Sequence, residues 1–144
     1  ERVDSMKKLN KKGFTLVELL AVITIMGIIM SVAVGAVFIH LQNSRVQAME
    51  TIASSSYDGA VMYMMDNNMM LNTNETTTIT IKQLYEDGRI QRPADPYNTK
   101  AECGGKVVVQ NKTTSSTTGL EDYRYTITVN CSGGHSLTQT YPKK

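Results

Sequence analysis

The chain has 144 residues, room for one modest domain and one membrane segment. Its net charge of +2 comes from the first stretch: residues 1–13 hold five of the fifteen basic and two of the thirteen acidic residues, which leaves about −1 from Phe14 onward. That balance excludes a large basic field for nucleic acid, and with no Trp and two Phe there is little aromatic bulk for a large core.

Met6-Lys7-Lys8-Leu9-Asn10-Lys11-Lys12-Gly13 reads as a complete short leader, with Glu1–Ser5 expected to lie upstream of its start. From Phe14 to Ile39 there is one charged residue, Glu18, and Leu19–Ile39 is 21 residues without a charge. As a helix this run spans about 30 Å, the thickness of a bilayer's hydrocarbon. The lysines before it put the amino end in the cytoplasm and the rest outside. A secretory signal peptide would have a shorter apolar region, although Ser31-Val32-Ala33 loosely resembles a cleavage site. A plain signal anchor fits the length but gives Glu18 no purpose. A carboxylate just inside an apolar span is expensive and asks for a partner.

Lys11-Lys12-Gly13 followed by Phe14-Thr15-Leu16-Val17-Glu18 resembles the processing site of type IV prepilins and the related pseudopilins. The resemblance implies cleavage after Gly13 by a prepilin peptidase on the cytoplasmic side and N-methylation of Phe14. It makes Glu18, five residues into the mature chain, the assembly residue. It implies a single-pass precursor in the cytoplasmic membrane and then a homopolymer at the cell surface, driven by an ATPase and an assembly platform. Such filaments serve adhesion, twitching motility or DNA uptake, and nucleic acid is reached only through the filament. A pseudopilin of a secretion or competence machine is the alternative. Gly27, Ser31 and Gly35 recur every fourth residue on one helical face, where small residues allow close helix packing. In resembling filaments this stretch often loses helical structure, and a proline is common where Gly35 stands. Glycine weakens a helix by about 1 kcal/mol and proline by about 3, so melting is expected to be weaker here.

The helix is predicted to continue from His40 to about Asn67, roughly 80 Å in all from Phe14. Val46, Met49, Ala53, Tyr57, Ala60 and Met64 form an apolar stripe, with Gln47, Glu50, Thr51, Ser54 and Asp58 opposite. Met62, Met64, Met65, Met69 and Met70 read as adaptable packing rather than metal ligands. Asp66–Thr78 is polar and reads as a loop. Thr80 and Gln83 form a capping box, with Ile79 and Leu84 as hydrophobic staple and Gly88 as the stop. Gly88–Ile90 and Pro93–Tyr97 are expected to be extended.

Lys106–Gln110 and Tyr123–Val129 read as antiparallel strands joined by the Ser/Thr loop Asn111–Gly119, with Ser136–Tyr141 as a short third. The predicted fold is α+β: a long N-terminal helix packed on a small antiparallel sheet head. The expected divisions are leader 1–13, apolar helix 14–40, amphipathic helix 41–67 and head 68–144. A head this small usually needs a staple. Cys103 and Cys131 can supply one outside the membrane, as in the C-terminal loop of many pilins; two free thiols are the alternative in a reducing setting.

No catalytic constellation stands out: neither His40 nor His135 has triad or metal spacing, and no cofactor is implied. Asp95, Asn98 and Glu102 offer oxygens like those of a calcium-binding loop in some secretion pseudopilins. Their spacing matches no calcium loop, so a solvated turn is expected. Three Asn-x-Ser/Thr triplets, at Asn74, Asn111 and Asn130, are what chance gives in an Asn/Thr-rich chain.

Overall fold

The computed structural model describes residues 12–113 and 122–143. Residues 1–11, the middle of the Ser/Thr loop and Lys144 lie outside the described residues, and so does most of the predicted leader. The chain divides into two compact units, Glu1–Leu41 and Gln42–Lys144.

The first unit holds the start of helix α1, Leu16–Asp66, whose 51 residues are unbroken. Every residue from Phe14 to Leu41 is exposed. This part of α1 is long and apolar enough to cross a membrane. An apolar surface on all sides, with no core of its own, belongs in lipid or against other apolar helices.

In the second unit the same helix becomes one-sided. Met49, Ala53, Ser56, Gly59, Ala60 and Met64 are buried at three- and four-residue steps, while Gln47, Glu50, Thr51, Ser54 and Asp58 face out as expected. Val46 departs from the predicted stripe at 43% exposed, because burial starts one turn later, at Met49. Ser56 is buried at no cost in pairing: its hydroxyl donates to the Ile52 carbonyl at 2.7 Å. At Gly59 a methyl group would come within 2.7 Å of the Ile90 side chain, so the connection after the second helix rests directly on α1 there.

Four strands form one antiparallel sheet in the order β1-β2-β3-β4: Thr76–Thr80, Gly104–Asn111, Tyr123–Asn130 and Ser136–Tyr141. The first corrects the predicted loop. Thr76, Thr77 and Thr78 pair with Gln110, Val109 and Val108, and β-branched threonine suits a pleated edge once a partner strand is present. The inward rows run across the sheet: Ile79–Val107–Ile127 and Val109–Tyr125–Tyr141. These residues and the buried face of α1 form one core. Tyr57 of α1 meets Tyr125 edge-on at 5.1 Å and stacks on Tyr141 at 4.9 Å, so tyrosine rings fill the space that Phe or Trp would take elsewhere.

Helix α2, Ile81–Glu86, starts as predicted: Thr80 accepts from the Gln83 N–H at 3.1 Å, and Ile79 and Leu84 are buried. Gln83 does not reach back; its amide donates to the Tyr63 hydroxyl at 2.9 Å. Gly88 ends the helix with φ +70, and Arg89 N–H returns to the Leu84 carbonyl, a Schellman closure. Gly88–Ile90 is therefore a turn and bend, a correction of the extended expectation. Arg89 pairs with Asp66 and lies over the Tyr63 ring, which ties this turn to the end of α1.

Candidate functional site

Lys12, Gly13, Phe14 and Thr15 are not helical, and α1 starts at Leu16. The cause is a reciprocal cap. Glu18 N–H donates to Thr15 Oγ1 at 3.2 Å, and Thr15 N–H donates to Glu18 Oε2 at 3.1 Å. This is the Ser/Thr-x-x-Glu box, and it satisfies two backbone donors that an apolar surrounding would leave orphaned. A carboxylate in the first turn also complements the positive end of the helix dipole. The signature is present in the sequence at Thr15–Glu18, and the partner that a carboxylate inside an apolar span asks for is found within its own helix start. The cap leaves the Gly13–Phe14 peptide bond in non-helical backbone. Phe14 is 89% exposed, and nothing lies within 4 Å of where a Gly13 side chain would begin. A bond held this way is accessible to an external peptidase.

Gly27, Ser31 and Gly35 all lie within the unbroken helix. The Ser31 hydroxyl donates to the Ile28 carbonyl at 2.7 Å, which hides its polarity from an apolar environment. A methyl group on Gly27 or Gly35 would meet nothing within 4 Å, so this face is open.

Cys103 and Cys131 are joined, with S–S 2.00 Å and Cα–Cα 4.4 Å. They flank the Gly104–Asn130 pair that ends the β2–β3 ladder, so the bond staples the sheet where pairing stops. In the chain-entropy model a loop of 28 residues is worth about 3–4 kcal/mol. Cys131→Ser is expected to lower head stability by about that amount in thermal unfolding and to leave leader cleavage untouched.

Asp95 corrects the solvated-turn expectation: it is 2% exposed. Its Oδ1 accepts from Tyr97 N–H at 2.7 Å and Asn98 N–H at 3.2 Å, and its Oδ2 from Ser132 N–H at 2.7 Å and the Ser132 hydroxyl at 2.5 Å. Asn98 Oδ1 accepts from Lys100 N–H, and Glu102 from Arg92, so each of the three side chains has a hydrogen-bond partner of its own. Asp95 and the two sulfurs lie within 4.8 Å of one another. The sulfurs are bonded to each other, and the carboxylate is filled by four donors. The cluster is a latch rather than a metal centre. Burial alone would raise the Asp95 pKa, but the hydrogen bonds from Ser132, Tyr97 and Asn98 win and hold it below 3.8. A depressed carboxylate contributes stability above its unfolded pKa and loses it as pH falls through the folded value. Head stability should therefore fall below about pH 4, and Asp95→Asn should flatten that acid limb in melts taken across the range.

Residues 8–34 match a family described as the prokaryotic N-terminal methylation motif. Neither a curated protein nor a solved structure matches the chain. The motif points to a structural protein, to processing by a prepilin peptidase and to pilus-type assembly in general, and with the apolar helix it fits a membrane-anchored precursor. The chain carries the signature of the type IV pilins and pseudopilins.

Proposed function

We propose that this protein is the structural subunit of a type IV pilus, drawn from the cytoplasmic membrane after leader cleavage and polymerised with copies of itself. One observation carries the reading. The matched motif opens an apolar helix, with Glu18 its one charge up to Ile39 and every residue through Leu41 exposed, and that helix continues without a break into the core of a stapled head. Lipid covers such a helix in the precursor, and neighbouring subunits cover it in a filament. Cleavage after Gly13 and methylation of Phe14 produce the mature end. Glu18 sets the register of each incoming subunit, and the small face of Gly27, Ser31 and Gly35 lets helices approach closely. The peptidase, the ATPase and the platform are its partners, and the subunit itself performs no chemistry.

Pseudopilins of secretion and competence machines resemble pilins in the same motif and differ in filament length. Immunogold labelling of intact cells, with antibody raised against residues 42–144, separates the cases. Long surface fibres are expected. Short stubs would assign the chain to a pseudopilus, and diffuse membrane label would make it an anchored monomer.

A further inference from the structure

The exposed apolar surface of the protein does not end with residues 14–41. Near the carboxyl end of α1, Met62 and Met65 are 54% and 70% exposed, and Met70 in the following loop is 82% exposed. Met65 and Met70 border an open cleft of about 270 Å³, lined also by Val61, Met64, Asn68, Met69 and the tyrosines of β3. Exposed apolar groups clustered in one place mark an interaction site. Thioether side chains, flexible and polarizable, adapt to irregular apolar partners. No Asp, Glu, Lys or Arg lines the cleft among the described residues, and Asp66, next to Met65 in the chain, is paired with Arg89.

The charge pattern selects the occupant. A charged segment seated here would leave an ion desolvated with no counter-charge. Leu19–Ile39 of this same chain carries no charge, is exposed throughout, and must exchange lipid for protein contacts when a subunit leaves the membrane. We propose that the methionine cleft is the seat for the apolar helix, residues 19–39, of a second copy of the chain. The proposal rests on the homopolymer reading and adds to it a surface on the head: the cleft replaces part of the lipid that the incoming helix gives up.

The test places a photo-crosslinking benzoylphenylalanine at position 65, in cells that carry the peptidase and the assembly machinery. Purified filaments are irradiated and the linked peptides mapped by mass spectrometry. Links to residues 19–39 of another subunit are expected. Filaments whose links fall on residues 76–141, or that give none, overturn the seat and leave the homopolymer standing. Absence of any polymer of the unaltered chain overturns both. Because the bulky probe can itself disturb assembly, unaltered filaments are also treated with hydrogen peroxide, which transfers one oxygen to a thioether and leaves water. Met65 and Met70 should form sulfoxide about tenfold more slowly in filaments than in detergent-dispersed subunits, with buried Met49 slow in both. Equal rates in the two states overturn the seat.

Discussion

Glu18→Ala is expected to yield a chain that inserts, is cleaved and is methylated, and that grows no filament. Removing the carboxylate does not harm insertion: charged residues at a helix centre cost about 2.5–3.5 kcal/mol on insertion scales, and one near the end costs less. The Glu18 half of the cap is lost while the N–H of position 18 still donates to Thr15 Oγ1; a cap is worth about 1 kcal/mol, and only the first turn of the 51-residue α1 depends on it. In the proposed assembly a different interaction decides. The proposed cleavage at Gly13 would create an ammonium at Phe14, a group with a reference pKa near 8 that methylation leaves able to carry charge. At the edge of a low-dielectric medium, its proposed pairing with a neighbour's Glu18 would be stronger than in water and would select one helix register. Glu18→Gln separates the two roles. The amide oxygen still accepts from Thr15 N–H, so the cap survives, but the charge is gone. Both variants should show the mature mass and no filaments by electron microscopy. Normal filaments from fully processed Glu18→Ala would sink the register role. Filaments from Glu18→Gln alone would assign the effect to the cap.

Gly105→Ala is expected to destabilise the head severely. Gly105 has φ +138, a conformation that side chains rarely adopt, and an added methyl would lie 1.9 Å from the Thr128 carbonyl oxygen. That oxygen is backbone of β3, the strand paired with β2 from Gly104 to Asn111, so it cannot yield without opening the ladder at its stapled end. Strain and overpacking together put the cost at about 4 kcal/mol or more, against a total stability of about 5–15 kcal/mol for an ordinary domain. Gly104→Ala is the control, since a methyl there meets nothing within 4 Å. Limited proteolysis of the full chain in detergent should degrade residues 42–144 of Gly105→Ala and spare those of Gly104→Ala. Equal protection would show that the strand accommodates the methyl.

The long helix was legible because one apolar run and one three-four stripe cover it with no proline or cap between. The strands at Lys106–Gln110 and Tyr123–Val129 were legible because β-branched and aromatic residues alternate there. β1 was not, because Thr76–Thr78 sit in an Asn/Thr-rich run, and only pairing with Val108 and Val109 turns that polarity into a sheet edge. Gln83 went to Tyr63, twenty residues away, because a tertiary partner outcompeted the local one. Asp95 looked like a solvated turn residue because Ser132, which supplies two of its four donors, is 37 positions distant. At the amino end the matched motif and the capping box share Thr15 and Glu18, so residues of the motif also fix where the helix begins.

The most direct measurement of the central claim is the intact mass of the mature protein taken from cells. A chain that begins at Phe14 and carries one added methyl group is the predicted result. A chain that begins at Val34 or Ala36, or one that retains residues 6–13, would contradict it.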